Sequence, residues 1–237
     1  PQPTPGEPHP SDSLNDADPL ISMRHCRVAY GSSTIISDIS WDILPGERWM
    51  LSGRNGSGKS TLLSLICADN PQRYVNDITA FGHHRRSGES IWDIKRHIGY
   101  ISPEMHLHFH GSGDVATIVA QGLNDTVGLF VRVRPDQMAL ALEWLKLFGM
   151  EHLASRRFDT LSAGEQRLAL LARTLIKQPR LLILDEPLHG LDLGRRRAVR
   201  DLVSALMERH PRSALIFVTH YPATELPDCI NHSLSLS

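Results

Sequence analysis

The stretch that most constrains this chain is Gly53-Arg54-Asn55-Gly56-Ser57-Gly58-Lys59-Ser60-Thr61. The apolar run Arg48-Trp49-Met50-Leu51-Ser52 precedes it and Leu62-Leu63-Ser64-Leu65-Ile66 follows. Those flanks read as strand and helix, the context in which G-x-x-x-x-G-K-[ST] is a phosphate-binding loop. Gly53, Gly56 and Gly58 let the backbone curl until several N–H groups, among them those around Asn55, Ser57 and Thr61, point at one anion. The helix opening near Lys59 adds its positive dipole end and its unpaired donors. In this pattern Lys59 reaches the β- and γ-phosphates and the Ser60 hydroxyl ligates Mg²⁺. The predicted ligand is a nucleoside triphosphate.

Around that loop, 237 residues allow one large α/β domain or two modest ones. A formal charge of −1 gives no broad electrostatic footprint for DNA or RNA, and no direct nucleic-acid partner is predicted. Cys26, Cys67 and Cys229 lie far apart, form no C-x-x-C pair and read as reduced thiols of a cytoplasmic protein. No apolar run approaches the roughly 18 residues of a membrane span. Residues 1–19 are proline-rich and polar, bury too little apolar area to offset their ordering entropy, and are expected to form a disordered linker. With Pro1 in place of an initiating methionine, the expectation is a piece of a longer polypeptide.

Apolar patterning predicts strands over 20–30 and 35–43, then the turn Leu44-Pro45-Gly46-Glu47 before the strand that enters the phosphate loop. Further short strands are predicted over 77–81 and 97–102. Residues 114–121 and 136–148 carry apolar side chains at helical spacing, for example Met138, Leu142, Leu145 and Leu147. Alternation then resumes with a helix over 163–177, a strand over 181–184, a helix over 195–209 and a strand over 214–219. The expected fold is α/β: a phosphate-loop NTPase core with a mixed sheet, an antiparallel β subdomain and a helical subdomain. Its expected division is a core of 20–103 and 156–237 with the helical subdomain at 104–155.

Leu181-Leu182-Ile183-Leu184-Asp185-Glu186-Pro187 is a fully apolar strand ending in two acids. Acids at the carboxyl end of such a strand sit where open α/β sheets bind nucleotide. Asp185 suits a Mg²⁺ shell and Glu186 suits orienting or deprotonating a water. Leu161-Ser162-Ala163-Gly164-Glu165-Gln166-Arg167 opens the preceding helix, with Ser162 as a good N-cap.

Together these residues resemble the ATP-binding cassette (ABC) ATPase family over about residues 21–237, with the family's motifs in the family's order. Family members pair two nucleotide-binding domains head to tail, each ATP lying between one domain's phosphate loop and the other's signature helix. The resemblance implies ATP and Mg²⁺ as cofactors and hydrolysis as the activity. It implies Tyr30 against adenine, Ser162, Gly164 and Glu165 in the signature, and Ser60 and Asp185 at the metal. It also implies Lys59, Glu186 and the γ-phosphate-sensing His220 in catalysis, with Gly190-Leu191-Asp192 crossing the dimer interface. The implied partners are a second cassette, in the same full-length chain or a homodimer, and membrane permease subunits. The implied location is cytoplasmic, peripheral at the inner membrane.

The signature carries Ala163 and Glu165 where the family usually has glycine and glutamine, and Glu165 also matches soluble twin-cassette members. At Ile98-Gly99-Tyr100-Ile101-Ser102-Pro103-Glu104 the family's Mg²⁺-touching glutamine is replaced by Pro103. Glu104 beside it either takes the glutamine's place at Mg²⁺ or, as favoured here, belongs to a loop from Pro103 that has left the site, which puts the usual permease coupling in doubt. Tyr74-Val75-Asn76-Asp77, Phe81-Gly82 and Ser87-Gly88-Glu89-Ser90-Ile91-Trp92-Asp93-Ile94-Lys95 resemble the second cassette of ModF-type molybdenum-transport ATP-binding proteins, also called photorepair-associated. Members of that group carry two cassettes in one chain. The resemblance implies molybdate transport, with an ATPase switch uncoupled from transport, in DNA repair or regulation, as the alternative. His106, His108 and His110 alternate as metal ligands on an extended segment would, but with only Glu104 beside them they read as solvated loop. Arg195-Arg196-Arg197 reads as a solvated helix face.

Overall fold

In the strand that ends at the two acids, side chains alternate between two apolar layers. A computed structural model describes residues 18–84, 91–109, 111, 113–124 and 132–236. In chain order it has β1 (Ile21–Tyr30), β2 (Ser33–Ile43), β3 (Arg48–Gly53), α1 (Lys59–Ile66), β4 (Asp77–Ala80), β5 (His83–His84), α2 (Ile91–Lys95) and β6 (Ile98–Ile101). There follow α3 (Pro103–His108), α4 (Val115–Ala120), α5 (Pro135–Leu147), α6 (Ala163–Leu175), β7 (Leu181–Asp185), α7 (Leu193–Arg209), β8 (Ala214–Val218), α8 (Pro222–Glu225) and β9 (His232–Leu236).

The expected antiparallel subdomain is present, but the expected mixed sheet is wholly parallel, so that each of the two sheets is of one kind. One, in the order β2-β1-β4-β5, is antiparallel; the other, in the order β6-β7-β8-β3-β9, is parallel throughout. Every residue of β8, and every residue of β7 before Asp185, is buried, as a parallel strand covered on both faces requires. Because successive side chains point to opposite faces, Leu182, Leu184, Leu215 and Phe217 join one apolar cluster with α4, α5 and α6. Leu181, Ile183, Ala214, Ile216 and Val218 join a second cluster with α1 and the antiparallel sheet. Val115, Ile118, Trp144 and Leu145 of the helical region are continuous with the first cluster, so these helices pack directly on the sheet's own core.

The antiparallel sheet continues past its backbone ladder through two amides. Asn76 Oδ1 accepts from Arg27 N at 2.7 Å while its Nδ2 donates to Arg27 O at 2.9 Å. Gln72 does the same for Ala29 N and O, at 3.2 and 2.8 Å. These bonds hold straight the end of β1 that carries Tyr30.

One expectation is corrected outright. The segment from Pro103 is not a loop: Pro103–His108 is helix α3, capped by Ser102, whose hydroxyl accepts from Met105 N at 3.2 Å. Proline suits a first helical turn, where its missing N–H would have had no partner. The extended geometry considered for the three histidines is therefore absent for His106 and His108, and His110 lies outside the described residues. Most of the proposed linker and the run Ser87-Gly88-Glu89-Ser90 also lie outside them. Among the described residues no helix is long and apolar enough to cross a membrane.

Candidate nucleotide-binding site

The phosphate loop leaves β3 at Gly53 and enters α1 through Gly58, which sits at φ +89° in the left-handed region as the helix N-cap. A Cβ on Gly53 would lie 2.5 Å from Ser57 Oγ and 2.6 Å from Leu236 O, and one on Gly58 would lie 3.0 Å from Ile35 O. Both positions exclude a side chain. Lys59 Nζ donates to Gly53 O at 2.7 Å and to Arg54 O at 3.0 Å, which folds its ammonium back over the loop. Ser57 Oγ is buried without a hydrogen-bond partner.

Facing the loop, β7 ends in Asp185, and Glu186 then turns out of the strand at φ +47°. That conformation is unfavourable for a side chain of this kind and marks a place where position outweighs local comfort. Glu186 N donates to Val218 O at 3.0 Å, which ties the acid to β8. Its Oε1 lies 2.7 Å from Nε2 of His220, two residues beyond the end of that strand. Burial, then the Glu186 charge, pushes the Asp185 carboxyl up to about 6, against the pull of Lys59.

Tyr30, Asn55, Gly56, Gly58, Lys59, Ser60, Thr61, Asp185, Glu186 and His220 line one cleft of about 520 Å³. Gly53 and Ser57 pack against each other and do not line it. Tyr30 is half exposed at the rim, and its hydroxyl accepts from Asn70 Nδ2 at 3.1 Å, which fixes the ring edge. Ser60 and Asp185 both present hard oxygen donors to the cleft. Mg²⁺ typically takes one or two such protein ligands and completes its shell with phosphate and water. Among the described residues no group of three or more His, Cys, Asp or Glu side chains is placed to hold a metal.

Glu104 is the second correction. It lies in the first turn of α3, lines the same cleft, and its charge is among those that push Asp185 up. The segment has not left the site. Tyr100 and Ser102, which the sequence did not single out, line it as well.

The signature residues lie elsewhere. Ser162 caps α6, and Glu165 Oε2 accepts from Ser162 N at 2.8 Å and from Ser162 Oγ at 2.6 Å. Glutamate and glutamine complete this capping box equally, which explains why Glu165 can stand where glutamine is usual. Those bonds to Ser162 hold the Glu165 carboxyl below its ordinary value. A Cβ on Gly164 would approach Arg195 Nη1 to 3.2 Å. Asp192 caps α7, its carboxylate accepting from Arg195 N at 2.9 Å. Ser162, Gly164, Glu165 and Asp192 do not line the cleft. The chain thus gathers Tyr30, the loop, Asp185, Glu186 and His220 in one place and presents the signature in another.

The family model described as "ABC transporter" matches residues 36–189. The ABC transporter ATP-binding protein ModF of Escherichia coli (strain K12) is 44% identical over 98% of this chain and 47% of that protein. An uncharacterized ABC transporter ATP-binding protein, YlmA of Bacillus subtilis (strain 168), is 31% identical over 88% of this chain and 78% of its own length. Among solved structures, the dimeric post-hydrolysis state of the ATP-binding cassette MJ0796 bound to ADP and Pi superposes with a TM-score of 0.76 at 21% identity. That match covers 92% of this chain and 94% of that one, and shows a shared fold. The chain spans about half the length of the curated relatives it first matches.

Proposed function

Because this chain belongs to the ABC transporter family, as one of its ATP-hydrolysing cassettes, we propose that ATP is bound and cut in the cleft between the phosphate loop and β7. One observation carries this reading: Lys59, Ser60, Asp185, Glu186 and His220 converge on that single cleft. The loop's N–H groups and the Lys59 ammonium bind the β- and γ-phosphates, with Tyr30 at the rim against the base. Ser60 and Asp185 hold Mg²⁺, which neutralises phosphate charge when bound. Glu186 orients the attacking water and accepts its proton, and the adjacent His220 holds the transferred group.

The signature of this chain, with Asp192, serves a cleft other than its own. Ser162, Gly164 and Glu165 lie outside the cleft at an accessible helix N-terminus, a site suited to anions. The occupant of this chain's cleft is therefore closed by the signature of a second cassette, in the same full-length chain or in a second copy. The resemblance of Tyr74-Val75-Asn76-Asp77, Phe81-Gly82 and the run to Lys95 to ModF-type molybdenum-transport proteins, together with the 44% identity to ModF, favours a place in molybdate transport, with this chain as a second cassette peripheral to a membrane permease. Pro103, where a coupling glutamine would stand, supports a second reading, an ATPase switch that drives no permease.

Glu186→Gln in the full-length protein tests the site. It is expected to keep ATP binding while turnover falls about a hundredfold or more, the usual range for losing a general base. Wild-type turnover in that variant would remove Glu186 from the chemistry and overturn the reading of the cleft.

A further inference from the structure

Behind His220 lies a buried acid that the cleft itself does not use. Glu225, in α8, is 7% exposed, yet it ends on no solvent and faces two donors. Arg196 Nη1 donates to its Oε1 at 2.8 Å, and the Thr219 hydroxyl donates to its Oε2. Arg196 was expected on a solvated face with its neighbours, but it turns inward, and its Nε donates to Leu191 O at 2.8 Å. At the other end Thr219 Oγ1 accepts from Tyr221 N at 3.0 Å.

These bonds form one chain: Leu191 carbonyl, Arg196, Glu225, Thr219, Tyr221 N–H. Its two ends attach to functional segments. Leu191 belongs to the loop of residues 190–192 beside Asp192, and Thr219 and Tyr221 flank His220 on both sides. His220 itself has a side chain one-third exposed, and its contact with Glu186 places it at the cleft. Its place is set by the backbone before and after it, and that backbone is pinned through Glu225.

Arg196 and Thr219 engage the two oxygens of Glu225 separately, so this one side chain bridges the two segments. An amide there could still accept from Arg196 and donate its NH₂ to Thr219 Oγ1, which has a second lone pair for Tyr221 N–H, so the bridge is broken by removing the side chain beyond Cβ and not by Glu225→Gln. Only the Glu225 end of this pair is buried, the Arg196 side chain being one-third exposed, and desolvating a carboxylate offsets much of the attraction it gains. We propose that Glu225, held by Arg196, is a positioning residue for the hydrolysis step: it fixes the backbone around His220 relative to the loop carrying Asp192, and so sets the contact between His220 and Glu186. This rests on the reading of His220 and Glu186 given above.

The test uses the full-length protein, with steady-state ATPase kinetics and thermal melts for Glu225→Ala, Thr219→Val, Thr219→Ser and His220→Ala. Glu225→Ala is expected to lower kcat about tenfold, which is ~1.4 kcal/mol in the barrier. KM for ATP is expected to stay within about twofold, because the phosphate loop and Tyr30 are untouched. Thr219→Val, which keeps the size of the side chain without its hydroxyl, is expected to match that loss, and Thr219→Ser, which keeps the hydroxyl, to restore turnover. Wild-type kcat in Glu225→Ala and Thr219→Val, with His220→Ala inactive, would overturn the inference and leave the cleft reading intact. Equal losses in Thr219→Ser and Thr219→Val, with melting temperature falling in step, would reduce the pair to a structural role and overturn it as well. Full activity in His220→Ala would overturn the cleft reading and this inference with it.

Discussion

Replacing Asp185 with asparagine is expected to stabilise the protein when nucleotide and metal are absent, and only where the carboxylate would be ionised. Burial and the neighbouring Glu186 raise its carboxyl from the ordinary 3.8 to about 6. A difference of about two units at 1.36 kcal/mol each makes the ionised aspartate cost ~3 kcal/mol in the folded state. The sign follows from which state holds the proton more tightly. The folded protein does, so the favourable contribution is complete below pH 3.8, declines as pH rises, and is gone above about 6. Asparagine has nearly the same size and does not ionise. At pH 8 the variant should gain close to the full ~3 kcal/mol, and at pH 5 about half of it. For a domain of this length that corresponds to a rise of roughly 6–12 °C in melting temperature at pH 8. Thermal melts with EDTA at both pH values read the effect. Added Mg²⁺ and ATP should stabilise wild type and erase most of the difference, because bound charge replaces the lost solvation of Asp185. An equal gain at pH 5 and pH 8, or none at pH 8, would refute the claim that this carboxylate is held ionised at a cost.

Lys59→Ala removes the ammonium that lies over the loop, and calorimetry should show ATP binding weakened by about 1.5–3 kcal/mol, the value of a hydrogen bond to a charged group; binding at wild-type strength would remove Lys59 from the phosphate site. Glu165→Ala opens the capping box of α6 and should cost about 0.5–2 kcal/mol in denaturant unfolding, while Glu165→Gln, which completes the same box, should cost little.

Much of the site was legible because its signals are local. The glycines at 53 and 58 announce a loop that a side chain would block, and the backbone shows the contacts that would do so. The apolar strand Leu181–Asp185 could only be a buried parallel strand, and its terminal acids then had one place to go. What escaped notice was either a local rule applied the wrong way or a contact made far along the chain. Pro103 was read as the start of a loop, although Ser102 immediately before it is an N-cap and proline is at home in a first turn. The short strand His232–Leu236 carries only a faint alternation and exists because β3 pairs with it over five positions. The division of strands between two sheets depends on pairing partners, which patterning along one strand does not specify. Arg196 stood in a run of three arginines, and only the fold brings Glu225, 29 residues away, to turn it inward. The left-handed His25 and Asp38, whose side chains meet at 2.6 Å across β1 and β2, likewise mark a bulge visible only once the two strands are in register.

The central claim is that the cleft of one cassette is completed by the signature of another. The most direct measurement is ATP turnover per molecule of this 237-residue chain across a wide dilution series, with and without a second cassette. The account predicts that ATP binds at every concentration, that turnover per molecule falls on dilution of the lone cassette, and that supplying a second cassette raises it. Turnover that is the same at every dilution and indifferent to a second cassette would contradict it.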